Sequence, residues 1–114
     1  MIPNKNRFHR RNHVNSVYKK GKSVRSGSLS LKFMISNSDD HKFAVSISKK
    51  VAKSAVTRNR IRRRVFEQIR TNENIPKGMW GVVGVFDESL VDAPAKDLSA
   101  QINSLISKAA KAID

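Results

Sequence analysis

Between Phe43 and Ile69 the spacing of apolar residues changes from two to four, and no other stretch restricts the fold as much. Phe43, Val45 and Ile47 alternate with Ala44, Ser46 and Ser48, the period of a strand with one buried face. Further on, Ile61, Val65 and Ile69 recur every four residues and draw one apolar stripe along a helix. Lys49 and Lys50 close the strand. The expected N-cap of the helix is Thr57 or a residue just before it.

Charge says what that helix faces. Arg58, Asn59, Arg60, Arg62, Arg63 and Arg64 fill the gaps in the stripe. At helical spacing Asn59, Arg60, Arg63 and Arg70 point outward, while Arg58 and Arg62 flank the stripe. Cations are disfavoured near a helix start, so a dense positive cluster there fits a partner that brings negative charge. Phosphate suits it, because guanidinium groups bind phosphate oxygens through paired hydrogen bonds. The whole chain shares the bias: its formal net charge is +14. Residues 1–70 hold 19 Lys/Arg against three acids, and residues 71–114 hold four against six, so the positive field belongs to the first part. No apolar run is long enough to span a bilayer, and the N-terminus lacks the apolar core of a signal peptide, which disfavours a membrane as the anionic partner. The absence of cysteine excludes disulfides and cysteine-bound metals and agrees with a cytoplasmic site.

A length of 114 residues suits one domain with one modest core. Residues 1–11 read as a basic, partly flexible arm. Asn12–Lys20 reads as a short helix with Val14, Val17 and Tyr18 on one side and Gly21 as its stop. Lys22–Arg25 suits a first strand, and Leu29, Leu31, Phe33 and Ile35 alternate with polar neighbours as a second. The turn-forming Asn37–Asp40 predicts that the strand Lys42–Ser48 returns beside the second as an antiparallel hairpin. After a linker over Thr71–Gly78, Trp80–Phe86 reads as a buried strand and Asp87–Pro94 as a loop. A last helix is expected from about Pro94, with Leu98, Ile102, Leu105, Ile106, Ala109 and Ile113 on its apolar face. The order α-β-β-β-α-β-α gives an α+β sandwich of one sheet with helices packed on it.

Ser48-Lys49-Lys50 followed by Arg58-Asn59-Arg60-Ile61-Arg62-Arg63 resembles the arginine–asparagine–arginine signature of the bacterial ribonuclease P protein component. Arg7-Phe8, Val14, Val17-Tyr18 and Gly21-Lys22 extend the likeness upstream. Four positions depart from the family pattern: Val14 and Lys32 stand where aromatics are common, Ala44 where glycine is usual and Phe66 where arginine is usual. The resemblance implies a fold like the second domain of ribosomal protein S5, with a left-handed crossover through the arginine helix. It also implies a subunit of ribonuclease P, in which the RNA subunit, with bound magnesium, removes the 5′ leader of precursor tRNA. By position in the motif, Lys49, Lys50, Lys53, Arg58, Asn59, Arg60, Arg62 and Arg63 would contact the RNA subunit. Val14, Tyr18, Lys32, Arg7 and Arg11 would line the leader cleft. For Tyr18, packing of the first helix is an equal alternative. The expected partners are ribonuclease P RNA and precursor tRNA, with no membrane and no obligate protein partner.

The residues themselves hold no catalytic constellation. The carboxylates are few and scattered, His9, His13 and His41 have no evident acid partner, and neither a nucleophile elbow nor a phosphate-binding glycine loop is present. His9 and His13 have a zinc-compatible spacing but no third ligand nearby. The protein alone is therefore expected not to cleave RNA. A structural RNA-binding protein of ribosomal type would share the charge and the α+β order. A stand-alone endoribonuclease would need the missing acid–base set.

Overall fold

The computed structural model describes residues 17–37 and 39–113. After a helical turn over residues 17–20 come β1 (Lys22–Ser26), β2 (Leu29–Ile35) and β3 (Lys42–Ile47), then α1 (Ala55–Thr71), β4 (Met79–Val85) and α2 (Ala95–Ile113). A two-residue loop joins β1 to β2. Of its residues only Gly27 has a positive φ, 59°, the pattern of a turn whose twist matches the flanking strands.

The four strands form one sheet in the order β1-β2-β4-β3. Strand β2 pairs antiparallel with both β1 and β4, while β3 pairs parallel with β4. The expected hairpin of β2 with β3 is thus not formed: β4 lies between them. Burial explains the order. Met79, Val82, Val83 and Val85 are buried on both faces of β4, which suits a central strand. On β3 only Phe43 and Ile47 are buried, and Ser46 is exposed, which suits an edge.

One face of the sheet carries the core. Leu29, Leu31, Phe33, Phe43, Ile47, Met79, Val83 and Val85 pack there against Ile61, Val65, Phe66 and Ile69 of α1 and Leu98, Ile102, Leu105, Ile106 and Ala109 of α2. Phe66 belongs to this core as well. Gly81 makes room for it, since a Cβ there would lie 2.7 Å from the Phe43 ring and 2.8 Å from Leu31. Helix α2 lies over β1 and β2, and α1 over β3.

Four local expectations change. The N-cap of α1 is Ser54, whose Oγ accepts from the Thr57 N–H at 3.4 Å, so the helix starts two residues before Thr57. Gly21 ends the first helix by close approach, not by a left-handed backbone: a Cβ there would lie 2.3 Å from the Val17 carbonyl and 2.8 Å from that of Phe33. Pro94 stands just before α2, where its carbonyl accepts from Asp97 and Leu98. The Asp87–Pro94 loop contains a 3-10 turn over Glu88–Val91 that buries Leu90.

Candidate nucleic-acid interface

Two surfaces remain outside this core: the outward side of α1 with the turn before it, and the sheet face turned away from the core. Ser48 builds the turn. Its carbonyl accepts from Val51 and Ala52 at 3.1 and 3.2 Å, and Ala52 is buried, so Lys49 and Lys50 are held exposed at the tip. Arg58 lies three residues before Ile61, in line with the apolar stripe, and bends back toward the helix start. Its Nη1 donates to the Ala52 and Lys53 carbonyls at 2.8 and 2.9 Å. Arg58 thereby fastens the Lys49–Lys53 segment to α1. Arg62 donates to Oδ1 of Asn59 at 3.1 Å, so the asparagine orients a neighbouring arginine.

Arg60 and Arg63 behave differently. Both are exposed on the outward face with Val56, and neither makes a hydrogen bond or ion pair with a described residue. The face ends at Glu67, which takes Arg70 into a surface ion pair. That contact holds the Glu67 carboxyl below the usual carboxylate range. No acid stands in the first turn of α1. The fields of Lys49, Lys50, Lys53, Arg60 and Arg63 therefore add with no carboxylate in the first turn to offset them, an arrangement that attracts anions.

Arg64 was not singled out from the sequence. It donates to the Leu90 carbonyl at 2.5 Å and to the Ala93 carbonyl, tying α1 to the segment that leads into α2. The available signal was its place beside Val65 at the edge of the stripe, but the loop it meets lies more than twenty residues away.

On the open sheet face stand Ser23 and Arg25 of β1, Ser30, Lys32 and Met34 of β2, Trp80, Val82 and Gly84 of β4, and Lys42, Ala44 and Ser46 of β3. Val17 and Val82 are buried apart from the main core. Tyr18 is 46% exposed, not packed in the core, and the Lys32 Nζ lies 5.4 Å from the centre of its ring. Arg25 lies 4.6 Å from the centre of the Phe86 ring at another point on the same face. The structure thus brings Tyr18 and Lys32 together. Val14, Arg7 and Arg11, like His9 and His13, lie outside the described residues.

A family model described as Ribonuclease P matches residues 2–110. The chain belongs to the ribonuclease P protein family. Its sequence is 38% identical over 94 residues to the ribonuclease P protein component of Clostridioides difficile, covering 81% of each chain. Its fold is similar to that of the ribonuclease P protein from Thermotoga maritima, with a TM-score of 0.80, 24% identity, and coverage of 90% of this chain and 96% of that one. It is also similar to a Staphylococcus aureus ribonuclease P protein mutant described as having defective mRNA degradation activity, with a TM-score of 0.77, 22% identity, and coverage of 93% and 88%. Family membership agrees with the α+β sandwich and with tRNA processing as a ribonuclease P subunit. Among the described residues no three His, Asp or Glu side chains gather as a metal site, and no helix is long and apolar enough to cross a membrane.

Proposed function

We propose that this protein binds ribonuclease P RNA through the α1 face and the 5′ leader of precursor tRNA across the open sheet face, and so assists removal of the leader. The observation that carries this reading is the division among the arginines of α1. Arg58 and Arg64 are spent on backbone carbonyls, whereas Arg60 and Arg63 stand exposed beside Lys49, Lys50 and Lys53. Five exposed cations that pair with no other described residue suit the backbone of a folded RNA, where contacts position but do not read sequence. Tyr18 with Lys32 offers something else, a ring for a base and an ammonium for its phosphate, as a single-stranded segment requires. Magnesium belongs to the RNA subunit in this reading, as the family resemblance implies, and the cell compartment is the cytoplasm. A contribution of magnesium to any step is not assigned to a protein residue.

Reconstitution tests it. Precursor tRNA is offered to rigorously RNA-free protein, to cognate ribonuclease P RNA at low magnesium, and to the two combined. Only the combination should cleave efficiently at the 5′ end of the mature tRNA. The Staphylococcus aureus mutant, described as defective in mRNA degradation, raises a second reading, degradation of mRNA, which the RNA-free sample also tests with mRNA as substrate. Cleavage by the protein alone would overturn the assignment of catalysis to the RNA subunit.

A further inference from the structure

The Arg25–Phe86 pair stands on the open sheet face but has no role in the reading above. Phe86 is an exposed aromatic, 52% accessible, in a chain with few aromatics. Its ring folds back toward Gly84 of β4, where a Cβ would lie 3.6 Å from Cζ. The Arg25 guanidinium covers the ring at 4.6 Å. Exposed cation–aromatic pairs are weak by themselves, so the backbone around this one is informative. The Phe86 N–H donates to the Ser28 carbonyl at 2.9 Å. The Ser28 N–H donates to Oε1 of Gln101 at 3.1 Å, and Lys108 Nζ donates to the Arg25 carbonyl at 2.6 Å. The β1–β2 hairpin is thus pinned to α2 on both sides of its turn. The pair stands on a prepared base, and little order remains to be gained on binding.

Register gives its place. The Phe86 backbone is level with Ser28, but its ring folds back to Gly84, which pairs with Ser30 as Arg25 does, two residues along β2 from Lys32 and about 7 Å away. Adjacent nucleotides of one strand can occupy the two pairs in turn. Because β3 runs parallel to β4 with Ile47 opposite Val85, the turn bearing Lys49 and Lys50 leaves the sheet at the Phe86 end. Phe86 therefore lies between the RNA-facing turn and Tyr18–Lys32. The neighbouring Asp87 carboxylate would repel phosphate, but it accepts from the Ser89 N–H at 2.9 Å on the 3-10 turn.

We propose that Arg25 and Phe86 form a second stacking platform on the open face, for a leader nucleotide closer to the RNA-facing end than the one at Tyr18–Lys32. A planar guanidinium on an aromatic ring is a surface on which any base can stack, and the same arginine reaches phosphate. The proposal rests on the leader-binding reading above and adds an order: the strand meets Arg25–Phe86 first and Tyr18–Lys32 second.

The test measures affinity of the reconstituted holoenzyme for precursor tRNAs whose leaders grow one nucleotide at a time, with mature tRNA as the reference. Phe86→Ala should weaken binding roughly 5- to 100-fold once the leader reaches the platform. That loss should appear at a shorter leader length than the loss caused by Tyr18→Ala. Phe86→Tyr should restore affinity, and Arg25→Lys should keep the salt dependence while losing part of the affinity. Far-ultraviolet circular dichroism and urea unfolding of each variant separate these effects from misfolding. An equal loss for mature tRNA would place the pair on the RNA subunit and overturn the proposal. So would no loss at any leader length, or a Tyr18→Ala effect that appears first. If the leader-binding reading itself is wrong, the wild-type enzyme will show no gain with leader length, an outcome distinct from each of these.

Discussion

On the outward face of α1, Arg60 and Arg63 stand beside an aliphatic neighbour, Val56; on the open sheet face, Lys32 and Arg25 each lie over an aromatic ring, 5.4 and 4.6 Å from its centre. Both surfaces are basic, yet in the proposed reading they serve different parts of an RNA. Cations without rings can hold phosphates of a duplex whose bases are hidden. Cations over rings can hold a strand whose bases are free to stack. The helix also gives its exposed arginines a rigid spacing, whereas the sheet lays its side chains out flat, with the Phe86 ring folded back over Gly84.

The contrast breaks most readily on α1. Arg60→Ala with Arg63→Ala should lower affinity for ribonuclease P RNA on the order of a hundredfold, through two lost charge-assisted contacts. The slope of log affinity against log salt should fall by about 1.4 to 1.8, since each of the two phosphate contacts contributes roughly 0.7–0.9. Urea unfolding should be nearly unchanged. An unfolded double variant, or an unaltered salt slope, would mean that these arginines are not the RNA face.

A smaller effect sharpens the other side. Tyr18→Ala should weaken binding of leader-bearing tRNA roughly 5- to 100-fold with little change in salt slope, because stacking is not a counterion effect. Lys32→Ala should remove a salt-sensitive share of the leader advantage, and Lys32→Tyr should add base preference while flattening the salt dependence. Leaders of varied sequence at two salt concentrations distinguish these outcomes. If Lys32→Ala leaves the leader advantage intact, Lys32 does not face the leader.

Arg64 supplies the control within α1. Its loss should cost about 1–3 kcal/mol of stability, because the carbonyls of Leu90 and Ala93 lose their donor, while the salt slope of RNA binding stays as in the wild type. Equilibrium urea unfolding reads the first quantity and a salt titration the second. A reduced slope without destabilisation would put Arg64 among the RNA contacts and blur the division on which the comparison stands.

The smallest effect concerns the end of the open face. The Ser89 N–H holds the Asp87 carboxyl below its usual value. A carboxylate depressed in the folded state stabilises above its unfolded value, and that contribution is lost as pH falls through the folded one. Asp87→Ala should therefore lower the melting temperature slightly at neutral pH, and its difference from the wild type should close in the acid range. A difference that persists unchanged into strong acid would mean that the Asp87 charge does not hold this turn.

Much of this was legible from residue spacing. The stripe of Ile61, Val65 and Ile69, the alternation of Leu29, Leu31 and Phe33, and Leu98, Ile102, Leu105, Ile106 and Ala109 of α2 all proved to be core, because periods of two and of about four mark one side of a strand or helix whatever lies opposite. The arginine cluster and its family signature are equally local, and they point to the ribonuclease P protein family without reference to the fold. Strand partnership was not local. Asn37–Asp40 has turn chemistry, and nothing near it shows that β4, some forty residues on, lies between β2 and β3. A hydrogen-bond ladder is shared with a distant segment, and the one hint was the two-sided apolar character of β4.

The arginines give the sharpest division between what sequence determines and what tertiary structure decides. Sequence determined that this chain carries a positive helix with one apolar stripe, and that its field would draw an anionic partner, since charge and period are properties of neighbouring residues. It could not separate Arg64 from Arg60 and Arg63, which are the same residue on the same helix. Only the folded chain brings the Leu90 and Ala93 carbonyls under Arg64 and leaves the other two facing water. In the same way, only the sheet register brings Arg25 over Phe86 and Lys32 over Tyr18. A guanidinium or ammonium group takes its role from the acceptor or ring within its reach, and distant parts of the chain supply those partners.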